Sequence, residues 1–338
     1  MTSVKSHMAD MNVLITTAIY PTPENPAFGS FVRTQAEALR KAGVDVDVLV
    51  LNGRFRKLIY PNGIFQLRKR LSSGSTRQLI HAHISFAGMV ARTQFKLPVV
   101  VTYHGSDLLG AINEKGKRTS FSKLAVAAGQ VLAQWVDAVI VQSEEMASKL
   151  KRKKGVYIIP CEVDFDLFRP HPREDARVAL ALDPHKKYLL FAANPSVAVK
   201  RFPLAKQVAD HLRQSDPAIE LVVAYREPQD RLALLMSACD ALVFPSYQEG
   251  SPNIIKQAMA CNLPIVATEV GDVRQIIGKT PGCYICQPEV NDFTERLTEI
   301  LRGRCRTNGR EQVRQFSGTA MAQKLIRVYE ETLERRAS

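Results

Sequence analysis

Residues 240–268, DALVFPSYQEGSPNIIKQAMACNLPIVAT, hold the densest group of side chains able to do chemistry. Residues 241–244 read as a strand and PSYQEG as the loop that leaves it. Ser251 followed by Pro252 reads as a helix N-cap and a proline in the first helical position. That helix runs to about Ala260, where Asn262 stops it before the next strand. Unpaired N–H groups at such a helix start, together with the helix dipole, attract a phosphate. Glu249 and Gly250 stand just before this anion site, at the strand's mouth. A carboxylate there can accept hydrogen bonds from the hydroxyls of a sugar attached to the phosphate. Asn253 and Gln257 are four apart and share a helix face. Taken alone, Glu249 would read as a solvated loop carboxylate, the usual fate of a loop Glu.

His104 is a second candidate. It follows the strand PVVVTY, and a His at the C-terminal end of a parallel strand faces the cleft, where it can hydrogen-bond a sugar or a phosphate. A structural His is the alternative. Gly29, in PENPAFGSFV, would let backbone approach a ligand closely; a plain tight connection explains it equally well. These residues suit cleavage of a sugar–phosphate bond. Such a reaction develops an oxocarbenium-like centre and a departing diphosphate, so it needs anion stabilisation and orientation more than a strong base. No D-x-D arrangement suited to a divalent cation stands at a strand end near these motifs: DVD at 45–47 lies along a strand, and Asp164-Phe165-Asp166 falls between domains. No metal and no cofactor are therefore expected.

The elements that must position these residues alternate between short β-branched apolar runs and longer amphipathic stretches, the pattern of a doubly wound α/β protein. Strands are predicted at 13–17, 46–51, 79–82, 99–103, 138–142 and 157–159, then at 188–192, 221–224, 241–244, 265–268 and 284–286. The near-continuous apolar character of these runs predicts strands buried on both faces. A chain of 338 residues exceeds one core. The prolines of FRPHPRED place the boundary near 163–172. Residues 11–165 then form a first domain, 166–316 a second, and 317–338 a helix that packs back on the first. Residues 1–10 read as a loose, disordered leader, with Met8 or Met11 as alternative natural starts. Of six cysteines only Cys283 and Cys286 have C-x-x-C spacing, and no second pair completes a zinc site. They read as reduced thiols on a short strand.

The 240–268 string resembles the E-x7-E region of the family 4 retaining glycosyltransferases, and further segments match that family in the same order. His104-Gly105-Ser106-Asp107 is similar to its HG-[ST]-D motif. IIPCEVDFDLFRP looks like its interdomain IPNGVD segment, with Cys161 and Glu162 in place of Asn-Gly, a change expected to leave the donor chemistry untouched. FAANPSVAVKRFPLA aligns with its G-R-x-x-x-x-K loop, which contains Asn194. The resemblance implies a GT-B fold, with two Rossmann-like doubly wound parallel-sheet domains facing each other across a cleft. It implies metal-independent transfer of a sugar from a nucleotide-sugar donor to an acceptor hydroxyl with retention of configuration. Glu249 would contact the donor sugar, Lys200 would neutralise the leaving diphosphate, and Gln257 would take the ribose-contacting position that the family fills with Glu. Pro195 falls where the family has an arginine, and Arg201 is the nearest replacement, with a solvated Arg the alternative.

Composition and charge bound the partners. Hydrophobic residues at 46% and charged residues at 23% describe an ordinary globular chain, and no run approaches the length of a membrane-spanning helix. Without a signal-peptide type segment the protein is expected in the cytoplasm. The net charge is +13, and by count about +10 of it falls in residues 1–165. By the resemblance the first domain would hold the acceptor and the second the donor, and the charge asymmetry predicts an anionic partner for the first: an acidic membrane surface at the inner face of the membrane, or a phosphorylated or lipid-linked acceptor. The basic segments are 54–71, 115–118 and 151–154. The first mixes cations with Ile, Phe, Tyr and Leu, as lipid-facing segments do. No basic–aromatic ladder indicates nucleic acid. A sugar-nucleotide epimerase or hydrolase on the same architecture, and a non-catalytic nucleotide or polyanion binder, are the rival readings.

Overall fold

All eleven predicted strands form, each within two residues of its expected bounds. The structure, a computed structural model, describes residues 11–51, 59–73, 76–113, 118–303 and 305–337. The leader, residues 54–58 of the first basic segment and 115–117 of the second lie outside the described residues. The strands are β1 Asn12–Thr17, β2 Asp45–Val50, β3 Leu79–His83, β4 Val99–Thr102, β5 Ala138–Val141 and β6 Val156–Ile158, then β7 Lys187–Phe191, β8 Ile219–Val223, β9 Ala241–Phe244, β10 Ile265–Thr268 and β11 Cys283–Cys286. They make two sheets, ordered β2-β1-β3-β4-β5-β6 and β11-β10-β9-β7-β8. Every pairing is parallel. β3, β4, β5, β9 and β10 are buried at every position, because helices cover both faces of a parallel sheet.

The helices of the first half are α1 Ser30–Lys41, α2 Ile59–Ser72, α3 Ile84–Ala91, α4 Ser106–Leu109, α5 Ser120–Trp135 and α6 Glu144–Lys149. Those of the second are α7 Arg173–Ala179, α8 Phe202–Ser215, α9 Gln229–Ala238, α10 Asn253–Ala260, α11 Val273–Ile277, α12 Val290–Gly303, α13 Gly309–Gln312 and α14 Gly318–Ala337. α1 buries Val32, Gln35, Ala36 and Leu39, one face at helical spacing. α14 lies across α1 and sends Met321, Leu325, Ile326 and Tyr329 into the first domain's core. The chain thus crosses between domains twice. The two crossings meet where the Val163 N–H donates to the Phe316 carbonyl at 2.9 Å.

Two residues are placed at this level. On α2, Arg70 Nε donates to Asp47 Oδ2 at 2.8 Å, and Arg77 Nη2 joins the same carboxylate at 2.6 Å. The 54–71 segment therefore spends one of its cations tying α2 to β2. Gly29 has φ +68°, and a Cβ there would stand 2.5 Å from the Ile19 carbonyl carbon and oxygen. Its missing side chain makes room for the protein's own backbone, so of the two readings of Gly29 the geometry supports the tight connection. Gly29→Ala must both strain a left-handed residue and push Ile19 aside, with an expected cost of about 1–3 kcal/mol or more. Urea denaturation measures it, and an unchanged midpoint would show that the β1 end has room to move.

Candidate active site

The loop after β9 is held from three directions. The Tyr247 N–H donates to the Val199 carbonyl at 2.8 Å, zipping this loop to the short 3-10 turn Ala198–Lys200. Lys200 Nζ donates to Glu249 Oε1 at 2.6 Å in a pair that is only partly exposed. Gly271, at φ +55°, packs so tightly on this loop that a Cβ would stand 2.5 Å from the Gly250 carbonyl oxygen and 2.9 Å from that of Glu249. Residues 49 apart in sequence, expected to act at one site, are therefore in contact.

The opposite domain closes on this loop through glycine. A Cβ on Gly250 would stand 3.4 Å from Gly105 Cα and 2.6 Å from Met146 Sδ. Gln248 Nε2 donates to the Gly110 carbonyl at 3.2 Å. The His104–Asp107 turn and the Glu249–Asn253 segment thus face each other at the C-terminal edges of the two sheets, where ligands bind in such folds.

The start of α10 differs from the expected cap. Pro252 takes the capping position in an extended conformation, φ −72° and ψ 111°, and the helix begins at Asn253. No side chain bonds to the first-turn N–H groups. Burial raises the carboxyl of Asp272, and the neighbouring Ser251 hydroxyl opposes that rise. Asn253 lies against the Cys161 thiol. Gln257 Nε2 donates to Gln229 Oε1 at 3.3 Å, so the two residues of one helix face turn to different neighbours.

Asn194 caps its own turn, its Oδ1 accepting from the Ser196 N–H at 2.9 Å. Arg201 is left-handed, at φ +52°. Its guanidinium lies 4.2 Å from the Tyr247 ring centroid and donates to the Pro288 carbonyl at 3.1 Å. Its side chain diverges from that of Lys200, so the structure does not place it as a substitute for the missing arginine. Cys283 and Cys286, three apart on β11, point to opposite faces, and both thiols are free, pushed up to about 12 by burial. They form no pair.

His104 sits in a polar cluster that sequence reasoning missed. Gln142 Nε2 donates to its Nδ1 at 2.5 Å, so the ring proton is on Nε2, which reaches His83 Nδ1 at 2.9 Å. His81, on the same face of β3, bonds Tyr329 Oη at 2.6 Å and Thr102 Oγ1 at 2.7 Å. Both ring nitrogens of His104 are thus engaged inside the protein. Burial pushes all three histidines well down, His83 to about 3, so they are neutral near pH 7. The spacing in LIHAH was the available signal, since residues two apart on a strand share a face. Cys161 joins this cluster. Its sulfur accepts from Gln142 Nε2 at 2.7 Å and lies 3.9 Å from His104 Nδ1, so the replacement of Asn-Gly by Cys-Glu reaches the wall of the cleft.

The remaining surprise is Lys256. It is fully buried, donates to the Cys161 carbonyl at 2.8 Å and lies 5.3 Å from the Phe316 ring. Burial lowers its ammonium and raises the neighbouring Glu162 carboxyl to about 7.

These groups give opposite pH slopes. Histidines with depressed values let the unfolded chain bind more protons, so their contribution is lost as pH falls from 6.5 toward about 3. Glu162, raised from 4.5 to about 7, keeps its proton in the fold longer than in the unfolded chain. Its protonated form supports the fold below pH 4.5, and that support declines as pH rises through 7. Glu162→Gln should therefore be more stable than the parent at pH 8, by roughly 3 kcal/mol, and no more stable at pH 4.5. Urea denaturation at both values checks this, and an equal difference at both would contradict burial as the cause.

Comparison with known proteins agrees with this architecture. The profile of Glycosyltransferase Family 4 matches residues 29–167, and that of Glycosyl transferases group 1 matches residues 187–303. The chain is 24% identical over 353 residues to TuaC of Bacillus subtilis, a glycosyltransferase named for teichuronic acid biosynthesis, covering 85% of this chain and 88% of that one. A sucrose-phosphate synthase from Thermosynechococcus elongatus superposes with a TM-score of 0.78 at 22% identity, over 97% of this chain and 100% of that one. Anabaena HepE, solved with UDP and glucose, superposes with a TM-score of 0.70 at 14% identity, over 95% and 100%. The expected GT-B architecture is borne out, and the chain is a glycosyltransferase of the family 4 type.

Proposed function

We propose that this glycosyltransferase moves a sugar from a nucleotide-sugar donor to an acceptor hydroxyl with retention of configuration and without a metal. The Lys200–Glu249 pair, set at the start of α10 and facing Gly105, is the observation that carries the reading. A donor diphosphate would draw the Lys200 ammonium away from Glu249 and lie against the uncapped first turn of α10, where fixed positive potential offsets the charge of the leaving group. Glu249, released from Lys200, would orient the sugar hydroxyls. His104 would meet the sugar by giving up its bond to His83. Gln257, supported by Gln229, would hold the ribose with neutral amides. The UDP and glucose of the HepE structure support a nucleotide-sugar donor. The likeness to TuaC and the basic first domain support an anionic or lipid-linked acceptor, met by a cytoplasmic enzyme in peripheral contact with an anionic membrane. No helix among the described residues is long and apolar enough to cross a membrane.

A thermal-shift screen of nucleotide sugars identifies the donor, because a true ligand stabilises by mass action. With that donor, Glu249→Ala should lower turnover by about 10²–10³ and leave affinity for the free nucleotide within a few-fold. Lys200→Ala should weaken both, since it removes charge from the diphosphate itself. Equal loss of nucleotide affinity in Glu249→Ala would move Glu249 off the sugar. Isomerised or hydrolysed donor accumulating at the full rate without acceptor would replace transfer by epimerase or hydrolase chemistry.

A further inference from the structure

We propose that α5 and the turn after α3 form the face by which the first domain docks on an anionic bilayer. This deepens the membrane association proposed above and moves it away from the 54–71 segment. α5 is SFSKLAVAAGQVLAQW, and Leu132 and Ala133 pack inward on the first domain's core. Leu124, Ala128, Val131 and Trp135 follow at spacings of four, three and four, which is a second apolar stripe. This stripe faces outward: Leu124 is 70% exposed, Val131 50% and Trp135 65%. A helix apolar on both sides belongs in an interior, yet α5 lies on the surface. In the adjoining turn Phe95 is 69% exposed. A groove of about 850 Å³ runs between them. Single exposed apolar side chains need no explanation, but a contiguous set with a groove marks an interaction surface.

Charge selects the partner. A second groove, of about 610 Å³, follows the other flank of α5 and is lined by Arg118, Lys123, Lys149 and Lys151. Among the described residues, no Asp or Glu lines either groove. Arg92, in the first, is already met by Asp137 at 3.6 Å. An aromatic and aliphatic stripe beside four cations suits headgroup depth, with rings at the interface, aliphatic groups below it and ammonium groups on anionic lipids. A second copy of the chain would instead bring the same cations face to face in a two-fold contact. The surface also adjoins the cleft: α4 starts one residue after Gly105 and packs on α5, so a lipid-borne acceptor would reach the site along one wall.

Trp135 is the chain's single tryptophan, and its emission reports this face directly. The full chain is mixed at low salt with vesicles of phosphatidylglycerol and phosphatidylcholine, with and without bromine on the acyl chains. The expected result is a blue shift, quenching by the brominated chains, and loss of both as salt rises. Lys123→Gln with Lys149→Gln and Lys151→Gln should lower vesicle partition about a hundredfold, at roughly fivefold per cation. Phe95→Ser with Val131→Ser should abolish the quenching while transfer to a soluble acceptor stays unchanged. Sedimentation with vesicles but unaltered Trp135 emission would overturn this face and leave membrane association standing. No sedimentation would overturn both, with transfer activity read separately. A blue shift that grows with protein concentration in the absence of lipid, with a dimer in sedimentation velocity, would assign the face to a second copy and overturn the proposal.

Discussion

The burial of the Lys256 ammonium is the constraint on which the rest of the cleft depends. A charge taken out of water is tolerated only when hydrogen bonds and compensating charge receive it. Lys256 satisfies this by reaching out of its own domain to the Cys161 carbonyl, beside Glu162 and Phe316. The helix that carries Lys256 also presents Asn253 at its start and Gln257 one residue on, so fixing the ammonium fixes α10 against the interdomain crossing. The raised carboxyl of Glu162 belongs to the same arrangement: burial outweighs the attraction of the nearby ammonium.

Given that anchor, the two domains meet by the absence of side chains. Gly105 and Gly250 lie back to back, and Gly271 presses on the carbonyls of residues 249 and 250. A Cβ on Gly250 would stand 2.6 Å from Met146 Sδ and one on Gly271 2.5 Å from the Gly250 carbonyl oxygen, so either would force a neighbour to shift, whereas one on Gly105 would make ordinary contact 3.7 Å from the Gly250 nitrogen. The Lys200–Glu249 pair is the electrostatic counterpart of this packing. In the absence of an anionic ligand each group supplies what the other lacks, and a diphosphate would compete for the lysine alone. On the proposed reading, donor binding and release of Glu249 would be one event.

The first domain places neutral histidines where a cleft of mixed charge would otherwise be costly. His104 accepts from Gln142 and donates to His83, so its ring is oriented by its second neighbours before any sugar arrives. α14, returning from the second domain, supplies the Tyr329 hydroxyl at the far end of the same cluster. The last helix of the chain is thus part of the packing behind the cleft of the first domain.

Sequence by itself determined the strands, their approximate ends, the doubly wound class and the motifs that converge on the cleft. The reason is local: continuous apolar runs of four to six residues have few alternatives to a doubly covered parallel strand, and the motifs sit at strand ends where backbone geometry already aims them. The resemblance to family 4 also linked Glu249 with Lys200, which are in contact, and named His104, whose neighbour Gly105 faces Gly250. What the sequence could not supply were relations between distant residues. Lys256 reads as a solvated helix lysine until the crossing segment is brought over it. His81 and His83 read as strand interior until β4 and α14 surround them. Arg201 reads as a spare cation until Tyr247 takes it. The outward stripe of α5 is equally periodic with its inward one. Only the tertiary structure decides which is covered, because burial depends on what packs against a helix rather than on the helix itself.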